Sequence, residues 1–173
     1  MKKKLSVIVT VLMSFCLLVQ TISFADSTDY SDLARDLVES LNRDITRDDV
    51  VAIYGTPYSE TEYVQFWDSE QKIERRFYFK NGRCSSASVT YGEFEAKYRG
   101  WMYNMYKSTY DKICDILGDG ARGLTFNDGS GIATDQDVAC AANAWSGDGF
   151  IVLLVYGQAS GGLRITMKLA FIE

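Results

Sequence analysis

Thr46-Arg-Asp-Asp-Val50-Val-Ala-Ile53-Tyr-Gly55 and Thr109-Tyr-Asp-Lys-Ile113-Cys-Asp-Ile116-Leu-Gly118 lie over one another without a gap, Thr46 against Thr109 and Gly55 against Gly118. The first stretch carries the punctuation of a short helix. Thr46 can cap its start, Asp49 stands at the capping-box position, Gly55 ends it and Pro57 forbids continuation. The second keeps the threonine, the terminal glycine and two apolar positions. Val50, Ile53, Ile113 and Ile116 are therefore expected to occupy matching places in the core.

Around each stretch the chain runs in the same order. Before the first, Leu33, Leu37, Val38 and Leu41 form one stripe with Asp32, Arg35, Asp36 and Glu39 opposite, which predicts an amphipathic helix over residues 31–41. Before the second, Phe94, Tyr98, Trp101, Met102 and Met105 recur at helical spacing, and this stripe is expected in the core. After the first stretch come strand-like runs at 62–67, 75–80 and 83–91, with Asn81-Gly82 supplying the two positive-φ positions of a type I′ hairpin. After the second, and after a glycine-rich acidic loop at 119–136, come runs at 138–145, 150–156 and 163–171 joined by turn-rich segments. The expected fold class is α+β: two tandem helix-helix-antiparallel-meander repeats, 26–91 and 92–173, forming one sheet with helices on one face.

Residues 1–25 have the form of a secretory signal peptide. Lys2, Lys3 and Lys4 make a basic start, residues 5–19 an apolar stretch shorter than the ~20 residues that span a bilayer, and Ser23 and Ala25 the small residues a signal peptidase reads. The sequence predicts cleavage after Ala25 and a secreted or cell-envelope, extracytoplasmic location, with membrane attachment only if this leader is retained. Loss of its lysines makes the remainder more acidic than the formal −5 of the whole chain, which disfavours nucleic acid as a partner. The chain has no histidine. That removes the commonest general base, the Ser-His and Cys-His nucleophile pairs and the usual zinc ligand sets.

A short capped helix written Thr-x-x-charged-Val/Ile-x-x-Ile/Leu-x-Gly, followed by a meander and occurring twice, resembles the tandem-repeat superfamily of β-lactamase inhibitory protein, to which the small lipoprotein of the outer-membrane β-barrel assembly machinery is related. The resemblance covers residues 31–173. It implies an extracytoplasmic binding or scaffolding module, and the inhibitor grips its target with the open concave face of its sheet. In the inhibitor each repeat is closed by a disulfide, whereas the first unit here holds no cysteine pair.

Strand alternation separates the covered face of such a sheet from its free face. Leu163, Ile165, Met167, Leu169 and Phe171 form an unbroken apolar row, leaving Arg164, Thr166 and Lys168 opposite. The same reading sends Phe77 and Phe79 inward and Tyr63, Gln65, Trp67, Arg76, Tyr78 and Lys80 outward, with Trp145 placed outward as the counterpart of Trp67. The candidate partner-binding residues are thus Tyr63, Trp67, Arg76, Tyr78, Trp145, Arg164 and Lys168, of types enriched at interface hot spots. Cys140 is expected to face the helices with Ala142 and Ala144 and to form a disulfide with Cys114, leaving Cys84 as the odd thiol. Asp119, Asn127, Asp128, Asp135 and Asp137 could offer oxygen ligands but lack the register of a calcium loop, so no metal or cofactor is expected. The carboxylate pairs Glu93/Glu95 and Asp111/Asp115 read as solvated helix faces, and no catalytic residues are assigned. The expected function is a non-enzymatic protein-binding module, with inhibition of an extracytoplasmic protein one form of it; the alternative is a structural accessory of a cell-envelope assembly.

Overall fold

A computed structural model describes residues 30–122, 126–127 and 138–172; the expected leader, and the loop carboxylates beyond Asp119, lie outside the described residues. Helix α1 spans Tyr30–Ser40 and α2 spans Arg47–Tyr54. The sequence signals at α2 hold in detail: Thr46 Oγ1 accepts from the Asp49 amide, the Asp49 carboxylate accepts from the Thr46 amide, and Gly55 ends the helix at φ 80°. Strands β1 (Ser59–Glu60), β2 (Tyr63–Asp68), β3 (Ile73–Lys80) and β4 (Arg83–Phe94) follow. Asn81 and Gly82 take φ of 54° and 77°, both positive, as the hairpin requires.

The second half differs from expectation at its start. A single helix, α3, runs from Arg99 to Leu117 without a break, preceded by one 3-10 turn at Ala96–Tyr98. Thr109 caps nothing. It lies inside the helix, and its hydroxyl donates to the Met105 carbonyl at 2.8 Å. No proline or glycine separates Met105 from Thr109, so nothing stops the helix, whereas Asn42-Arg-Asp44 provides a turn between α1 and α2. The two C-terminal caps do match: Gly55 N–H donates to the Val51 carbonyl at 2.9 Å and Gly118 N–H to the Cys114 carbonyl at 2.8 Å.

Strands β5 (Ala121–Arg122), β6 (Phe126–Asn127), β7 (Val138–Gly147), β8 (Phe150–Ala159) and β9 (Gly162–Phe171) complete the described elements. The fold is α+β with one sheet, ordered β1-β2-β3-β4-β9-β8-β7-β5, and β6 pairs with β7 off that path. Each meander is antiparallel, and the two join through their last strands, β4 and β9, where the hydroxyls of Thr90 and Thr166 meet at 3.1 Å.

The core lies between one face of the sheet and the helices. Val64, Phe77, Val89, Met167, Leu154 and their neighbours pack against Leu33, Leu37, Met102, Tyr106 and Ile113. Tyr30 is fully buried and donates its hydroxyl to the Val89 carbonyl at 3.0 Å, and burial pushes its phenol far above the usual range. Of the four matched apolar residues, Val50 and Ile113 are buried, but Ile53 is 50% exposed and Ile116 only half-buried. The expectation of four equivalent core positions is corrected to two, because α2 and α3 each turn only a narrow stripe toward the sheet.

Candidate functional site

Alternation along β2 and β3 builds one cluster on the face of the sheet away from the helices. Tyr63 lies opposite Tyr78, Gln65 opposite Arg76 and Trp67 opposite Glu74. Directly opposite residues of an antiparallel pair share a face and touch, so these side chains form a paired row. The rings of Tyr63 and Tyr78 stand 5.1 Å apart. Arg76 lies over Tyr63 at 5.1 Å, and Lys168 reaches across from β9 over Tyr78 at 5.6 Å. Trp67 is 41% exposed at the edge of the row.

Glu74 holds this cluster together, and the sequence reading missed it. Its Oε1 accepts from both Arg76 Nε at 2.9 Å and Arg76 Nη2 at 2.6 Å, and from the Gln65 amide. Burial alone would lower the Arg76 pKa, but the bond and charge of Glu74 override it and hold the guanidinium above its ordinary value. The signal was present in the alternation, since Glu74 precedes Arg76 and Tyr78 on one face of one strand. Arg164 is likewise partnered, with Glu93 at 2.7 Å. The expected basic patch is therefore partly neutralised by its own carboxylates.

Between these groups is a hollow of about 230 Å³ lined by Trp67, Lys72, Glu74, Arg76, Glu93 and Arg164 among others. That is smaller than the ~300–1,000 Å³ of small-molecule sites. Two of its lining residues, Lys72 at φ 56° and Glu93 at φ 72°, have left-handed backbone. They are tied together, Lys72 Nζ donating to the Glu93 carbonyl at 3.2 Å and Gly92 N–H to the Lys72 carbonyl at 3.1 Å. Gly92 is required by close approach, because a Cβ there would meet Arg164 Cγ at 2.5 Å.

Trp145 does not belong to this face. It is buried on the helix side, 5.5 Å from the Tyr110 ring, and its neighbour across β8 is the fully buried Val152. The expectation that it matches Trp67 is corrected: the alternation of β7 places Ala141, Asn143 and Trp145 toward the helices, with Asn143 accepting from the Tyr106 hydroxyl. The same parity carries Cys140, Ala142 and Ala144 to the open face. The expected Cys114–Cys140 disulfide is not formed; Cys84, Cys114 and Cys140 are all free thiols, because Cys140 alternates away from the helix that carries Cys114.

A second feature of the open face went unread. Ile151, Leu153 and Val155 of β8 are 44%, 40% and 36% exposed, an aliphatic row beside Ala142 and Ala144 of β7. The run Phe150-Ile-Val-Leu-Leu-Val-Tyr156 is apolar on both faces, which is the sequence signature of a strand covered twice. Among the carboxylates weighed for catalysis, Glu93 bridges Arg164 and Glu95 bridges Lys97 at 3.0 Å. Among the described residues no group of three or more acidic or cysteine side chains is placed to hold a metal ion, and no helix is long and apolar enough to cross a membrane.

No family model matches the chain, and no curated protein matches it significantly. Among solved structures, a DUF4309 family protein (YjgB) from Bacillus subtilis is similar with a TM-score of 0.44 and 15% sequence identity, over 82% of this chain and 99% of that one.

Proposed function

We propose that this chain is an exported, non-enzymatic protein-binding module that grips an extracytoplasmic protein with the open face of its sheet. The observation that carries the reading is the juxtaposition on that face of a rigid aromatic and cationic cluster, Tyr63, Trp67, Arg76, Tyr78 and Lys168, with the exposed aliphatic row Ile151, Leu153 and Val155. Apolar side chains adjoining each other on an ordered surface, rimmed by polar groups, are the composition of an interface. The cluster is preorganised: Glu74 fixes Arg76, and the rings pack on one another. A partner then meets few side chains that must lose rotamer freedom. Inhibition of that partner is one outcome of such binding, and support of an envelope assembly is the other.

We further infer that the two halves are related units of a tandem-repeat fold, the second having fused its two helices. What supports this is the matched caps at Gly55 and Gly118, the matched buried residues Val50 and Ile113, and the joining of the two meanders through their last strands.

The test is photocrosslinking. A photoreactive phenylalanine analogue at Tyr63 or Leu153, on the sheet face, and at Asp111, on the exposed helical side, is presented to the extracytoplasmic fraction of the producing cells. One discrete adduct from both sheet-face positions, competed by unlabelled protein and absent from position 111, is the expected result. Adducts from position 111 alone would refute the reading.

A further inference from the structure

Two strained positions from different strands meet at the hollow on the open face. Lys72, at φ 56°, ends the turn before β3. Glu93, at φ 72°, is the extra residue of a bulge in β4, between Gly92 opposite Arg164 and Phe94 opposite Leu163. Left-handed backbone costs stability at a residue with a Cβ, and such positions cluster at ligand clamps; a bulge re-aims the side chain it carries. The result here is an uneven grouping of charge. Glu93 bonds Arg164 at 2.7 Å and Glu74 bonds Arg76 at 2.6 Å, so each carboxylate has its own guanidinium. The Lys72 ammonium meets only neutral groups among the described residues, the Glu93 carbonyl at 3.2 Å and the Phe94 ring at 5.0 Å. The lining of the hollow thus sets three cations, Lys72, Arg76 and Arg164, against two carboxylates, Glu74 and Glu93.

We propose that this hollow is a socket for one carboxylate group, which in the complex is an aspartate or glutamate side chain of the bound protein. The proposal rests on the open face being the one that the partner covers, and it adds the chemistry that the partner presents there. The single surplus positive charge, on Lys72, matches a single carboxylate. Arg76 and Arg164 have more N–H donors than their bonds to Glu74 and Glu93 use, and a guanidinium fork fits carboxylate oxygens. Those two bonds also hold the guanidinium groups in place before the ligand arrives. At about 230 Å³ the hollow admits a side chain, and Trp67 at its edge offers a ring to the side chain's methylene stem. A neutral partner side chain would cover Lys72 and leave its charge uncompensated, which is the costlier arrangement. A cationic one would find only carboxylates already engaged, so the socket selects for acid.

The probe is N-acetylglutamate N-methylamide, with the glutamine analogue as its uncharged match, each titrated against the full chain at constant ionic strength and followed by chemical shifts. Saturable shifts at the amides of Lys72, Gly92 and Glu93 and at the Trp67 indole are expected with the glutamate probe. Affinity should be about tenfold weaker or more for the glutamine probe and in Lys72→Gln, restored in Lys72→Arg, and unchanged in Arg83→Gln at the hairpin tip. In a second arm the same variants are measured against the protein captured by crosslinking, and Lys72→Gln should weaken that complex by a similar factor. A partner captured from the sheet face that binds Lys72→Gln as tightly as the parent overturns the socket and leaves the choice of face standing. Glutamate-probe binding that is lost in Lys72→Gln, with adducts from position 111 alone, supports the socket and removes only the choice of face. Equal shifts from the two probes, or glutamate-probe affinity unchanged in Lys72→Gln, would overturn the proposal.

Discussion

The indole Nε1 of Trp145 donates to the carbonyl of Gly118 at 3.0 Å, so the second meander is pinned to the end of α3 through one side chain. Gly120 makes room for it: a Cβ there would stand 2.5 Å from Trp145 Cε2. Trp67, its presumed counterpart in sequence, has no such structural duty on the open face. The two tryptophans are therefore expected to respond oppositely. Trp145→Ala should cost ~3–5 kcal/mol and Trp145→Phe ~0.5–1.5 kcal/mol for the lost hydrogen bond, and Gly120→Ala ~1–3 kcal/mol for displacing the ring. Trp67→Ala should cost about 1 kcal/mol or less. Urea melts with unchanged m-values measure all four, and equal losses for the two alanine variants would contradict the assignment of faces.

The matched helices make a second contrast. Ile113 is fully buried and Ile53 half exposed, so Ile113→Ala should lose ~2–5 kcal/mol while Ile53→Ala loses about 0.5 kcal/mol or less. Comparable losses at both positions would restore the simpler repeat in which all four apolar residues are core.

These contrasts mark where the sequence was legible. In β9 large apolar and polar residues alternate from Leu163 to Lys168, and the two faces could be told apart by size and charge alone. In β7 the run Val138-Ala-Cys-Ala-Ala-Asn-Ala-Trp145 has no such contrast; small residues fit either face, and a tryptophan or asparagine suits the core wherever a hydrogen-bond partner waits, here Gly118 and Tyr106. The partners are distant in sequence and leave no local mark. The same holds for Arg76 and Arg164, whose identity suggested a cationic patch although Glu74 and Glu93 neutralise them in space. Helix α3 was divided because its second half matches α2, but a match in residue type cannot impose a break where the chain has neither a turn former nor a proline.

Stability should be flat from pH 6 to 8 and fall in alkali. The chain has no histidine, while burial pushes Cys84 up to about 11 and Tyr156 up to about 12 and raises Tyr30 and Tyr106 further. Each of these groups releases its proton more readily unfolded than folded, so the unfolded state binds fewer protons above roughly pH 9 and the stability present below that pH is lost as pH rises toward the folded values. Urea midpoints at pH 8, 9.5 and 10.5 should decline progressively, and less steeply in Tyr156→Phe. A midpoint that holds to pH 10.5 would mean the phenols and the thiol are not buried as described.

Glu74 should matter to binding more than to folding. Glu74→Ala frees Arg76 from its two bonds on a half-exposed surface, and its effect on stability should stay within about 1 kcal/mol. By loosening the preorganised cluster it should weaken partner binding several-fold, chiefly by faster dissociation. Surface plasmon resonance on the crosslinked partner, once isolated, reads this directly; an unchanged dissociation rate would show that the cluster's order is irrelevant to binding.

The central claim is that the open sheet face is the one covered in the complex, and side-chain oxidative footprinting with and without the partner tests it most directly. Trp67, Tyr63, Tyr78 and Leu153 should lose reactivity on binding, while Tyr98 and Trp101, which are 43% and 45% exposed at the start of α3, keep theirs. Protection of Tyr98 and Trp101 with Trp67 and Leu153 still oxidised at the free rate would contradict the account.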